Sequence, residues 1–188
     1  MRGGELDGET LARARGGDPR AFRVLYEHHA DAVYGFLYRM LRDGPAAEDA
    51  VQDAFMRVLG ALRGFDPRGP ARLSTWIFTI ARRVALTALE RRPLAAAAPE
   101  GTTAGQPDLR LELEAAVAAL PEVLRSTFVL REACDMSYEE LAAVEGIDLG
   151  TVKSRLHRAR AALQAMLHEE RPRPASNERS GHGTRATK

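Results

Sequence analysis

An all-α protein built as two small helical domains joined by a flexible linker is the fold the sequence predicts. Three observations carry that prediction. Apolar residues recur at three- and four-residue spacings through most of the chain, the period of a helix with one buried face. No alternating apolar–polar run suggests a strand. The two periodic stretches are separated at 93–108 by mostly Ala, Pro, Gly and Thr with no aromatic residue, the composition of a tether.

The elements follow in order. Residues 1–19 read as an N-terminal extension. Asp18 and Pro19 are an N-cap followed by proline at the first helical position, where its missing N–H costs nothing. Behind them Phe22, Leu25, Tyr26, Val33, Phe36, Leu37 and Met40 form the apolar row. Asp43, Gly44 and Pro45 stop that helix and start the next, whose predicted buried stripe is Val51, Phe55, Val58, Leu59 and Leu62. Glu48, Asp49, Gln52 and Asp53 fall largely off that stripe. Gly64 to Pro70 is a turn-rich loop. Ser74 is the expected cap of a helix running to about Arg92, with Ile77, Ile80, Ala81, Val84 and Leu89 inward. The first domain therefore spans 20–92 and the linker 93–108, within which Leu94 to Ala98 has the makings of one helical turn.

The second domain, 109–168, resumes with a helical pattern from Leu109 to Ala119. Pro121 opens a helix carrying Val123, Leu124, Phe128, Val129 and Leu130. Ser137 and Glu140 have capping-box spacing, in which hydroxyl and carboxylate each satisfy a free amide of the other residue. The short helix they open turns Tyr138, Leu141, Ala142 and Val144 inward. Gly146 then supplies a tight change of direction that needs positive φ. A longer helix is expected from near Thr151, with Val152, Leu156, Ala159 and Leu163 buried. Lys153, Ser154, His157 and Arg158 lie on its opposite face near the amino-terminal end. This is a helix-turn-helix, and those positions are where a recognition helix presents side chains to base edges in a major groove. Arg158 or Lys153 suit guanine acceptors, while Ser154 and His157 suit bases or phosphate. The tail, 169–188, has the composition of a disordered segment.

Composition narrows the function class. The chain has 188 residues, 45% hydrophobic and 28% charged, too apolar for wholesale disorder. No stretch approaches the roughly 18 apolar residues of a membrane helix, so no membrane insertion is expected. Met1 to Thr10 has no apolar core that would serve as a secretion signal. The single cysteine, Cys134, excludes an internal disulfide and a cysteine-rich zinc site, and a reducing cytoplasm is the expected home. The net charge of +1 conceals strong patterning: −2 over 1–60, +5 over 61–92, −8 over 93–150, +4 over 151–168 and +2 over 169–188. Two basic blocks set in two acidic bodies suit nucleic acid, because phosphate neutralisation needs clustered cations rather than global charge.

Enzyme chemistry finds no foothold. The phosphate-loop, HExxH and GxSxG patterns are all missing. His28 and His29, adjacent on one helix, are expected to point apart and to make a poor metal pair. Cys134 has no neighbouring histidine in sequence and reads as a buried thiol. No catalytic residue, metal or cofactor is expected.

The residues now in view resemble a bacterial extracytoplasmic-function (ECF) sigma factor of the sigma-70 superfamily, over roughly residues 20–168. Ser137-Tyr138-Glu139-Glu140-Leu141-Ala142-Ala143, followed by Gly150 through Arg160, resembles region 4.2. Leu120-Pro121-Glu122 with Phe128-Val129-Leu130-Arg131 resembles region 4.1. Ala47 through Phe55 resembles region 2.2, and Phe65-Asp66-Pro67 with Thr75 through Arg82 resembles regions 2.3 and 2.4. The resemblance implies a non-enzymatic subunit that binds core RNA polymerase, through its β′ coiled coil and β flap, and directs it to promoter DNA. It also implies an anti-sigma factor as partner. Asp49, Gln52 and Asp53 would meet the coiled coil. Arg68, Arg72, Ser74, Thr75, Trp76, Arg82 and Arg83 would meet the −10 element, and Thr151, Lys153, Ser154, His157 and Arg158 the −35 element. Trp76 has two readings: a ring stacked on an unpaired base, or a core ring in register with Ile80 and Val84. Arg83 and Thr87 stand where the family often has asparagine and aspartate, so details of −10 reading do not transfer. A stand-alone helix-turn-helix regulator is the alternative, and it leaves the region 2 resemblance unexplained.

Overall fold

The computed structural model describes residues 6–91 and 109–169. Among the described residues every regular element is helical: α1 (Gly8–Arg15), α2 (Pro19–Leu41), α3 (Gly44–Ala61), a 3-10 turn (Leu62–Gly64), α4 (Leu73–Arg91), α5 (Leu109–Ala119), α6 (Glu122–Glu132), α7 (Tyr138–Glu145) and α8 (Leu149–Glu169). The tether expected at 93–108, its turn at Leu94–Ala98 and all of the tail beyond Glu169 lie outside the described residues.

Caps set the helix boundaries. The Asp18 carboxylate accepts from the amides of Arg20 (2.9 Å) and Ala21 (3.4 Å), and Asp43 accepts from that of Ala46 (3.0 Å). Each supplies an acceptor to amides that lack an intrahelical partner. Between α2 and α3 the left-handed residue is Arg42 (φ 57°), not a glycine. The segment read as an extension contains α1, capped by Asp7 and turning Leu11 and Ala14 onto α2. Eight residues are too short for periodicity to announce themselves.

The core of the front four helices is the apolar row of α2 (Leu25, Val33, Phe36, Leu37, Met40) against Ala54 and Val58 of α3 and Ile77, Ala81 and Val84 of α4. Burying each of the larger side chains contributes about 1.5–3 kcal/mol. Three expected core residues lie elsewhere. Leu59 is 44% exposed, because Val51, Phe55, Val58 and Leu62 already complete the inward stripe and residue 59 lies one helical step off it. Tyr26 sits at the rim, its ring edge-on to Phe55 (centroids 4.7 Å), and Val123 is exposed. Ser74 is not the cap of α4: the first helical bond runs from the Trp76 amide to the Arg72 carbonyl (3.0 Å), which starts the helix earlier and buries Leu73.

The rear four helices continue the same core through Val117, Leu120, Val129, Leu130, Leu141, Val144, Val152, Leu156, Ala159 and Leu163. The two sets of helices pack directly on each other, α7 against α4, and α5 and α6 against α2. Arg125 of α6 donates to the Met40 carbonyl in the last turn of α2 (2.8 Å) and to the Leu120 carbonyl (3.0 Å). A carbonyl in the last turn of a helix has no intrahelical donor, so a buried arginine is a fitting partner.

Candidate nucleic-acid interface

The helix-turn-helix is α7 and α8. Ser137 and Glu140 form the full capping box, with the Glu140 amide donating to Ser137 Oγ (3.1 Å) and the Ser137 amide to Glu140 Oε2 (2.8 Å). Gly146 ends α7 in the left-handed region (φ 68°), where a side chain would strain. Sequence reasoning missed the cap of α8. It is Asp148, whose carboxylate accepts from the Thr151 amide (2.9 Å) and hydroxyl (2.6 Å), and these bonds hold its pKa below the usual carboxylate range. Gly150 lets that carboxylate close, since a Cβ there would sit 2.9 Å from Asp148 Oδ1. The helix therefore begins at Leu149, two residues before the expected start, and the Thr151 hydroxyl is committed to the cap.

Beyond this turn Lys153, Ser154, His157 and Arg158 are all exposed on one side of α8. Arg158 Nε lies 3.4 Å from the Ser154 carbonyl one turn back, which lays the side chain along that exposed face. The other two cations of the block pair with acids of the same half. Arg155 donates to Glu145 Oε2 (2.8 Å), and Arg160 donates to Glu132 Oε1 (2.7 Å). Position around the helix thus leaves Lys153 and Arg158 outward, turns Arg155 inward, and sets Arg160 in an exposed pair with Glu132.

The +5 block is sorted in the same way. Arg68 is exposed in the loop, its amide donating to Asp66 (3.0 Å), and Arg83 is exposed on α4. Trp76 is half-buried and packs on Phe65 (centroids 5.1 Å) at the edge of the core, which favours the core reading of that ring. Ser74 is half-buried in the first turn. Thr75, expected at DNA, is only 2% exposed, because α7 covers it; its hydroxyl lies 3.5 Å from Glu140 Oε1. Arg72 pairs with the same carboxylate (3.6 Å). Arg82 is inward as well, with Nε 3.0 Å from Ser126 Oγ and 3.5 Å from Glu145 Oε1. The structure therefore turns Thr75 and Arg82 under α7, pairs Arg72 at the margin of that contact with its side chain 67% exposed, and leaves Arg68 and Arg83 outside.

Asp49, Gln52 and Asp53 project from α3 into solvent, Asp53 beside Arg57 (3.5 Å). Met56 (67% exposed) and Leu59 continue the same exposed side of α3. An apolar pair bordering an acidic row was not singled out from sequence, though a methionine off the inward stripe is a legible signal.

Sequence profiles agree with this layout. Residues 25–93 match Sigma-70 region 2, and residues 110–163 match Sigma-70 region 4. The RNA polymerase sigma-H factor of Pseudomonas aeruginosa is 35% identical over 189 residues, spanning 87% of this chain and 94% of that protein. This chain belongs to the sigma-70 family, in its ECF group. The ECF RNA polymerase sigma-E factor of Escherichia coli K12 is 33% identical across 84% of this sigma factor and 92% of its own length. Among solved structures, CnrH in complex with the cytosolic domain of CnrY superposes with a TM-score of 0.70 at 30% identity, covering 87% of this sigma factor and 97% of CnrH. The sigma factor RpoE of Bartonella quintana, solved with the anti-sigma factor NepR, gives 0.65 at 28% identity, with 80% and 98% covered. The sigma factor recognises promoters and initiates transcription with RNA polymerase.

Among the described residues no three metal-ligating side chains converge, and no helix is long and apolar enough to cross a membrane. His28 and His29 do not point apart as expected, since their rings meet edge to face with centroids 4.8 Å apart. His29 is buried with Nε2 unpartnered, and burial, then His28, lowers its pKa to about 4. Burial pushes the Cys134 thiol up to about 12, so it stays protonated and inert at neutral pH.

Proposed function

We propose that the exposed side of α8 reads the −35 element through Lys153, Ser154, His157 and Arg158, with Thr151 at its entry. The carrying observation is the row of exposed polar and basic side chains directly after a doubly capped tight turn. In this reading residues 20–92 and 109–168 act as separate units on a tether at 93–108. Arg68, Arg72, Ser74, Thr75, Arg82 and Arg83 engage the −10 region, and Trp76 borders it. Asp49, Gln52 and Asp53, with Met56 and Leu59 beside them, dock on the β′ coiled coil, and the rear unit meets the β flap. The protein works in the cytoplasm as a non-enzymatic, cofactor-free subunit, and an anti-sigma factor restrains it. The likeness to two sigma factors solved with partners, CnrY and NepR, supports the last point.

Promoter-selective transcription with purified core polymerase tests the whole. Within it, Arg158→Ala holoenzyme is titrated on a matched promoter and on single-base −35 variants at fixed salt. A bidentate guanine contact predicts a loss of about 1–3 kcal/mol of preference for the correct base. Uniform weakening on every variant would reduce Arg158 to a phosphate contact.

A further inference from the structure

We propose that the cleft between the end of α2 and helices α5, α6 and α8 binds a nucleoside polyphosphate. This goes beyond promoter recognition and does not rest on it.

The cleft has a volume of about 700 Å³, within the range of small-molecule sites. Arg39 and Arg42 from α2, Arg110 from α5 and Arg160 from α8 supply four guanidiniums to its lining. The rest of the wall is largely apolar, from Leu113, Val117, Phe128 and Val129. Val117 and Val129 belong to the core, whereas Leu113 is exposed and Phe128 half-buried. A site for a bare anion needs no such wall. A ligand with a flat, weakly polar body and a multiply charged end matches both parts of the lining. A nucleobase can lie on Phe128, since every base has a face that stacks on an aromatic ring. The phosphates take the arginines, whose forked donors suit phosphate oxygens.

The balance of charge separates this cluster from a set of surface ion pairs. Among the lining residues only two carboxylates, Glu114 and Glu132, offset the four arginines. Glu114 is shared by Arg110 (3.4 Å) and, at a long 3.9 Å, by Arg42. Glu132 is taken up by Arg160 (2.7 Å). Arg39 pairs with no carboxylate among the described residues, and its Nη1 donates to the Gly35 carbonyl of its own helix (2.9 Å). Arg125 of α6 adds to the crowding: burial lowers its pKa, with Glu122 opposing and Arg42 reinforcing the shift. Positive charge is therefore in excess at the end of α2. A chain of two or three phosphates presents oxygens to several of these donors at once, which a monophosphate does not. Because the donors come from both helical sets, a bound ligand touches both.

The test uses the full chain and ATP as the probe, titrated calorimetrically at low salt without added metal. Adenosine, AMP and tripolyphosphate are titrated in parallel. ATP should saturate one site per chain, with AMP and tripolyphosphate each about tenfold weaker and adenosine not measurable. Arg39→Gln should weaken ATP binding about tenfold, the loss of one charge-assisted hydrogen bond. Arg110→Gln alters a side chain 82% exposed, so the fold tolerates it, and it should weaken ATP binding in the same direction. Phe128→Leu keeps an apolar wall and should lower ATP to the affinity of tripolyphosphate. Arg23→Gln, which removes an exposed arginine near the other end of α2, should change nothing. ATP should also raise the melting temperature of the wild type more than that of Arg39→Gln. Absence of saturable ATP binding at millimolar concentration overturns the inference. So does an unchanged affinity in both Arg39→Gln and Arg110→Gln, which would place the nucleotide elsewhere, or an equal loss from Arg23→Gln, which would be a general charge effect. Tripolyphosphate matching ATP on the wild type would reduce the cleft to a plain polyanion patch and overturn the nucleoside assignment.

Discussion

His29 and Trp76 show how the surroundings of one side chain set its consequences. The buried imidazole of His29 is held neutral, with its pKa lowered from the ordinary 6.5 to about 4. Between those values the unfolded chain takes up a proton that the folded chain refuses, so acid favours unfolding. Stability should be intact above pH 6.5 and fall as pH drops towards 4, by about 3 kcal/mol from this residue. Urea denaturation of the wild type and His29→Gln across that range checks it; parallel curves would contradict the assignment. Trp76, packed on Phe65, is half core and half surface. Trp76→Ala should cost about 2–4 kcal/mol, near the lower end for large aromatic truncations because the ring is only partly buried. A variant of wild-type stability that fails only at duplex opening, and is rescued by a pre-melted promoter, would place the ring on a base instead.

At the scale of elements, α3 and α8 each divide into a packing side and a working side. On α3 the inward stripe runs through Val51, Phe55, Val58 and Leu62, so Asp49 and Gln52 bear no structural duty. Asp49→Ala combined with Gln52→Ala should weaken core-polymerase binding while leaving the melting temperature within a degree or two of wild type, as exposed substitutions usually do. Undiminished binding in a core titration would remove α3 from that interface. On α8 Arg155 and Arg160, which are not among the proposed contact residues, pair with acids of the rear half, Glu145 and Glu132. Lys153 and Arg158 were legible as outward because the buried row Val152, Leu156, Ala159 and Leu163 defines the opposite face. The Asp148 cap was not read, since Ile147 to Gly150 has none of the serine–glutamate spacing that marks α7.

For the whole molecule the decisive feature is that the two helical sets lie against each other. Arg125 joins them at the end of α2, and its burial leaves Nε without a partner, so its two carbonyl bonds matter the more. Arg125→Met should leave the Met40 and Leu120 carbonyls short of a donor and cost about 1–3 kcal/mol. Small-angle scattering of the full chain should show a larger radius as the halves part. An unchanged radius with lowered stability would mean that the α4–α7 contact holds the halves together without this arginine.

Helix positions, caps at Asp18, Asp43 and Ser137, the turn at Gly146 and the outward face of α8 are all determined by local chemistry. Periodicity, capping and φ preference act within a few residues, so one sequence carries them. The fates of Thr75, Arg72 and Arg82 were decided elsewhere. In sequence they belong to one basic, exposed-looking stretch at and just before α4, in which acids are few. Their partners, Glu140 and Glu145, lie more than sixty positions away on a helix whose placement depends on packing of the shared core. Which arginines meet solvent and which meet an acid is a property of that packing, and only the tertiary structure contains it.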